Sequence, residues 1–222
     1  MSLQNPVYAA LTGPHSHLAE VRGNARRYPS AVAPFLALPD EPTEQDWADA
    51  AVLLGPGTTG ALMRPDFPIP ASLKLDRQFD LVQFVAPDGL AEPDDEAILL
   101  GPDDVPEMLA LVALTDPGPF RTRTIELGTY LGIRRDGDLV AMAGTRFALP
   151  EYTEISAVCT HPSYQGQGLA RRLIAAVAAH ITTTGRTPFL HTGGTNTNAI
   201  RLYNSLGFTL SNKMKVTLVQ AV

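Results

Sequence analysis

The chain of 222 residues is short of cysteine, aromatic residues, charge and long apolar runs. Its one cysteine, Cys159, excludes an intrachain disulfide and points to a reducing compartment, the cytoplasm by default. The longest apolar run, 108–114, falls far short of the roughly 20 residues that cross a bilayer, and no basic start with an apolar core marks a leader. Lys and Arg number 17 against 23 acids, a net charge of -6, so a dedicated nucleic-acid binder is disfavoured. Basic or amine-bearing partners fit better. The five histidines include His15 and His17, an isolated His-x-His with no further ligand at metal spacing, and no metal is expected. No G-x-S-x-G supports an acyl-serine route.

Proline and hydrophobic residues are plentiful. At 45% hydrophobic and 18% charged, the chain has the composition of a soluble globular protein. Up to about residue 92 it is irregular and proline-rich, with helices predicted over 6–19 and 44–53 and strands over 31–36 and 81–85. The acidic, proline-bearing AEPDDEA at 91–97 reads as a linker, and a domain boundary is placed near 92. Beyond it the pattern sharpens. A strand at 97–101 precedes a helix over 108–114, with Asp104 and Glu107 resembling a helix-start signal. Asp136-Gly137 marks a hairpin, 153–160 a strand, 168–182 an amphipathic helix, 188–192 a strand, 198–206 a helix and 213–219 a closing strand. The order β, α, β, β, β, α, β, α, β implies an α/β domain with a mixed sheet.

Three glycine-rich segments invite a phosphate-binding reading. GPGTTG at 55–60 matches G-x-G-x-x-G, but Pro65, Pro68 and Pro70 leave no room for the helix that must follow, so a turn is expected. HTGGTN at 191–196 joins a strand to a helix. QGQGLA at 165–170 stands between a strand and a long helix, where unpaired N–H groups and the helix dipole favour an anion. Arg171 and Arg172 add charge there. On physics alone, a plain glycine turn opening a core helix explains Gly166 and Gly168 as well as an anion site does.

Gln165, Gly168 and Ala170 fit the pattern Gln/Arg-x-x-Gly-x-Gly/Ala, and NTNAIRLYNSLGF at 196–208 sets an Asn three residues before an Ala, followed by Leu-Tyr and Gly-Phe. Together these segments resemble the two motifs of the GNAT superfamily of N-acyltransferases over residues 93–222. The resemblance implies a mixed, mostly antiparallel sheet flanked by helices. Residues 1–92 would form an added α/β subdomain, a degenerate half-copy of the same fold. It also implies acetyl-CoA as co-substrate, an N-acetyltransferase activity by direct attack in a ternary complex, and a small-molecule or protein/peptide amine as acceptor, with no nucleic acid or membrane partner; a homodimer is compatible with it. The main chain of Gln165, Gly166, Gln167 and Gly168, with Leu169, Ala170 and the Arg171 charge, would hold the CoA pyrophosphate. Val158, Cys159 and Thr160 would pair their backbone with the pantetheine amides, Asn196 would help hold that arm, and Tyr203 would sit by the thioester sulfur as general acid. A fold of this kind also serves a non-catalytic CoA-binding or interaction module, and that alternative stands.

The chemistry sets its own demands. A lysine amine near pKa 10.4 is neutral to about one part in 2,500 at pH 7, a cost of roughly 4.6 kcal/mol, against about 1 kcal/mol for an α-amine near 7.8. Glu154 is the candidate base: strand alternation puts it on one face with Ser156, Val158 and Thr160, and Ile155, Ala157 and Cys159 on the other. A solvated glutamate at a strand start is the competing reading, and Glu126 is a weaker candidate. Tyr203 between Leu202 and Leu206 is also an ordinary core position, and Cys159 reads as packing. Residues 115–128 are expected to shape the acceptor site, with Phe120 as a wall.

Overall fold

The computed structural model describes residues 2–65 and 67–222. The leading stretch contains helix α1 (Pro6–Leu11), three short strands, β1 (Glu20–Arg22), β2 (Ala25–Arg27) and β3 (Leu36–Ala37), and helix α2 (Glu44–Leu54). The three strands make a small antiparallel sheet. Thr43 and Asp46 close a reciprocal capping box at the start of α2, which fixes where that helix begins. The helix predicted over 6–19 stops at Leu11 and resumes as a single 3-10 turn, Ser16–Leu18, because Gly13 and Pro14 interrupt it. The strand predicted over 31–36 shrinks to Leu36–Ala37, since Pro34 has no N–H to give a ladder. His15 packs inside, its Nδ1 2.9 Å from the Tyr28 hydroxyl; burial first, then the His17 charge, pushes it down to about 4.

The rest follows the predicted order: β6 (Ile98–Leu100), α3 (Val105–Thr115), β7 (Tyr130–Arg135), β8 (Asp138–Ala148), β9 (Tyr152–Thr160), α4 (Leu169–Thr183), β10 (Thr187–Gly193), α5 (Thr197–Ser205) and β11 (Thr209–Ala221). The β7–β8 turn is carried by Asp136 and Gly137 at φ 53° and 95°, the left-handed pair that a two-residue hairpin requires. Helix α4 turns Leu169, Leu173, Ile174, Val177 and Ile181 onto the sheet, where they meet Ile155, Leu190 and Phe208. Helix α3 packs Met108 and Leu111 against Met142 and Cys159.

Two further strands, β4 (Thr59–Arg64) and β5 (Leu73–Val85), join this sheet. The eight strands lie in the order β4-β11-β5-β10-β9-β8-β7-β6, all neighbours antiparallel except β9 and β10. This is the mixed, mostly antiparallel sheet flanked by helices that was expected. The boundary near 92 does not divide it. Strand β5 lies between β10 and β11, so residues on both sides of 92 build one sheet. The acids of 91–97 are not a free linker either: Asp94 accepts two hydrogen bonds from Arg172 at 2.6 and 2.7 Å, and Glu96 lies 2.6 Å from the same guanidinium. Among the described residues no helix is long and apolar enough to cross a membrane.

Candidate active site

The site begins where the two parallel strands part. β9 and β10 are paired only from Thr187 opposite Tyr152 to Leu190 opposite Ile155. Beyond that point β10 runs on to Gly193 against β5, while β9 runs on to Thr160 against β8. A bulge in β9 accompanies the parting. Gly144 faces Ser156 and Met142 faces Cys159, so two residues on β9 oppose Ala143, and Ala157 takes a left-handed φ of 53°. The bulge also overturns the expected alternation. Ile155 packs under α4, whereas Ala157 and Cys159 pack under α3, on opposite sides of the sheet. On the side facing the gap, the β9 backbone past Ile155 has no strand partner.

A groove of about 470 Å³ follows this free edge. Val158, Cys159 and Thr160 form one wall, and Gln165, Gly166, Gly168, Leu169, Ala170 and Arg171 form its end; Gln167 is not on the wall. Gly166 and Gly168 sit at φ 78° and 76°, a conformation that costs a side chain about 1–2 kcal/mol, and a Cβ on either would meet nothing within 4 Å. Backbone conformation therefore demands these glycines, and the space above them is open. No side chain caps the start of α4, and the first hydrogen bond of the turn runs from the Arg172 N–H to the Gly168 carbonyl. Among the described residues the N–H groups of 166–171 have no hydrogen-bond partner, while that of Gln165 bonds the Pro162 carbonyl. Arg171 is exposed without an acidic partner among the described residues, but the Arg172 charge is taken up by Asp94 and Glu96 and does not serve the groove. The Thr160 hydroxyl is buried on this wall with no hydrogen-bond partner among the described residues. Such an orphan fits a ligand amide.

Asn196 is the cap of α5. Its Oδ1 accepts the Ala199 N–H at 3.1 Å, leaving the amide N–H₂ to donate elsewhere. With Val158, Ala199 and Tyr203 it lines both the groove and a second cavity of about 490 Å³ on the other side of the parted strands. The Tyr203 ring is held by Phe84 and Phe208, and its hydroxyl has no hydrogen-bond partner among the described residues. Burial, and secondarily the Glu154 charge, pushes the phenol up to about 12.

Glu154, the candidate base, lines neither the groove nor the second cavity. It is fully buried, Oε2 accepting Arg146 Nε and Oε1 accepting Arg146 Nη2, each at 2.7 Å, while His191 Nδ1 lies 2.6 Å from Oε1. Burial alone would raise its carboxyl; the adjacent guanidinium and its two hydrogen bonds, helped by His191, hold it well below the usual carboxylate range. Three of its roughly four acceptor positions are taken, two by Arg146 and one by His191, so Glu154 positions both side chains. The Gln83 amide donates to the Leu3 carbonyl at 2.8 Å and reaches His191 Nε2 at 2.9 Å. With the Gln83 amide as donor, Nε2 accepts and Nδ1–H donates to Glu154. Arg146, His191 and Gln83 went unnoticed in the sequence, although a charge within the apolar DLVAMAGTRFA and a histidine within PFLHT are each out of keeping with a buried strand.

The remaining candidates sort by position. Glu126 pairs with Arg123 at 2.6 Å and lines neither cavity. Phe120 packs against Tyr130 and is not a cavity wall; the same loop contributes Asp116, Pro117, Gly118 and Pro119 instead. Cys159 is buried, its thiol pushed up to about 11, which suits packing and not nucleophilic attack.

Parted parallel strands, a bare helix start at their mouth and a tyrosine between two cavities define an acyltransferase-type α/β fold. The FR47-like protein family model matches residues 130–216. Over 100% of this chain and 99% of its own, a GNAT-family protein of Novosphingobium aromaticivorans is 39% identical with a TM-score of 0.91. A GCN5-related N-acetyltransferase of Kribbella flavida is 18% identical over 100% of this chain and 97% of its own, TM-score 0.64, and shares the fold. No curated protein matches in sequence. The chain belongs to the GNAT family of acetyltransferases.

Proposed function

We propose that the protein transfers an acetyl group from acetyl-CoA to an amine by direct attack in a ternary complex. The observation that carries this reading is the junction at Val158, Asn196, Ala199 and Tyr203, where a groove with an uncapped helix start meets a separate cavity. Acetyl-CoA supplies an activated acyl group as a thioester. The bare N–H groups at 166–170 and the Arg171 charge fit its pyrophosphate. The unpaired edge of Val158, Cys159 and Thr160, the orphaned Thr160 hydroxyl and the free Asn196 amide fit its two pantetheine amides. In the transfer, a C–N bond forms as a C–S bond breaks, and the proton lost by nitrogen reaches sulfur by way of solvent. With Glu154 spent on Arg146, water is the proton acceptor, and amines of low pKa are favoured.

Tyr203 acts on the departing sulfur. A phenol near 12 stays protonated at any working pH, yet full transfer of its proton to a thiolate near 8.5 would be uphill by about 5 kcal/mol. It therefore stabilises the thiolate as a hydrogen-bond donor. Such a bond to a charged group is worth about 1.5–3 kcal/mol, so Tyr203→Phe should lower kcat roughly 10- to 100-fold with cofactor affinity nearly unchanged. Weakened cofactor binding would make the tyrosine structural. Acetyl-CoA at 100 times its Kd should stabilise the protein by about 2.7 kcal/mol in a thermal melt. No shift at millimolar acetyl-CoA would remove the reading. Stabilisation without thiol release from any amine would favour a non-catalytic CoA-binding module.

A further inference from the structure

We propose that the acceptor is a small primary amine carried on an apolar group, and that strands β4 and β5 of the leading stretch set this preference. The inference rests on the acyl-transfer reading and names the substrate class of the same site. Its basis is the floor of the second cavity, built from alternate positions of three adjacent strands: Ala61 and Met63 of β4, Phe79 and Leu81 of β5, Val216 and Leu218 of β11. The register makes these one face, with Val216 opposite both Met63 and Phe79, and Leu218 opposite Ala61. All six are apolar. The floor continues up to the wall shared with the groove, so an acceptor whose nitrogen reaches Tyr203 rests its carbon skeleton here.

Charge points the same way. Among the residues lining the cavity, Glu154 does not figure, the Arg146 guanidinium is neutralised by it, and Asp116 is the one acid. Asp116 has no basic partner among the described residues. It stands at the left-handed end of α3, its N–H bonded to the Val112 carbonyl, next to Thr115 on the groove wall. A carboxylate beside the negative end of a helix dipole draws one ammonium group to the junction. Ser156, His191, Thr192 and Asn196 also line the cavity, but from β9, β10 and the start of α5; a polyamine or an amino sugar long enough to lie on the floor would set its further cationic or hydroxyl groups on six apolar side chains. The net charge of -6 lies elsewhere on the surface and does not describe this cavity.

Two probes separate the outcomes, 2-phenylethylamine and spermidine, each titrated calorimetrically into the full chain loaded with CoA and each assayed for thiol release from acetyl-CoA. The apolar amine should bind at least tenfold tighter and show at least tenfold higher kcat/KM. Phe79 is 44% exposed at the rim and is replaced without opening the core. Phe79→Ser should weaken 2-phenylethylamine at least threefold without helping spermidine. Phe79→Asp should narrow the gap between the two amines fivefold or more, with the thermal shift given by CoA unchanged in both variants. Equal or preferred spermidine, binding of neither amine, or indifference to both Phe79 variants would overturn the proposal. Binding of 2-phenylethylamine with no thiol release would leave the apolar cavity standing and remove the acyl-transfer reading.

Discussion

A fragment beginning at residue 93 should fail to fold, although composition marks 91–97 as a linker. Strand β11 has two neighbours in the sheet, β4 and β5, and both lie before residue 92. Without them β11 pairs with nothing, and β10 keeps only the four-residue ladder with β9. Phe189, Met214, Val216 and Val219 are all buried, the first three in a cluster they share with Val7, Leu11, Tyr28 and Phe35. Losing roughly 1.5–3 kcal/mol for each of four such side chains removes most or all of a net stability of about 5–15 kcal/mol. The expected result is an aggregation-prone chain with no cooperative thermal transition, read by circular dichroism, while the full chain melts in one step. A cooperative melt of the 93–222 fragment would show that the two halves fold independently.

The same topology explains which parts of the fold were legible in the sequence. The hairpin at Asp136-Gly137, helix α4 and helix α5 are specified by residues within a few positions of one another, and they were read with nearly the observed bounds. The end of β5 was read as the strand over 81–85, but β4 and the rest of β5 pair with β11, more than 120 residues later, and local pattern carries no trace of that pairing. Buried on both faces, Ala61-Leu62-Met63 lacks the alternation that reveals a strand. The groove was legible because main-chain N–H groups at a helix start leave a glycine pattern. The floor of the second cavity was not. It is assembled from β4, β5 and β11, and its character resides in what those strands jointly present. The β9 bulge inverted the facing of Ala157 and Cys159, because one extra residue shifts a period of two and a single chain gives no sign of where it falls.

Replacing Glu154 tests the buried network most severely. Glu154→Ala leaves the Arg146 guanidinium 8% exposed without its counterion and the His191 Nδ1–H without an acceptor, which should destabilise the protein by about 3–5 kcal/mol in urea melts. Adding Arg146→Met to Glu154→Leu removes both charges together and should recover much of that loss, because the pair is costly chiefly when half of it remains. The pH dependence has a definite sign. The folded carboxyl titrates below its unfolded value near 4.3, so its contribution is complete above about pH 4.3 and is lost as pH falls through the folded value. His15 acts in a different window: depressed from 6.5 to about 4, it costs stability as pH falls between those values, because the unfolded chain takes up the proton first. The double variant should keep the His15 slope and lose the steeper limb below it. Its kcat/KM profile should keep both its height and the alkaline rise set by the acceptor amine; a fall of about 100-fold or more at every pH in a folded variant would restore Glu154 as the base. One residue thereby offers a test that separates stability from catalysis: the Glu154 carboxylate ties β8, β9 and β10 together through Arg146 and His191, and on the proposed mechanism the reaction falls to Tyr203 and solvent.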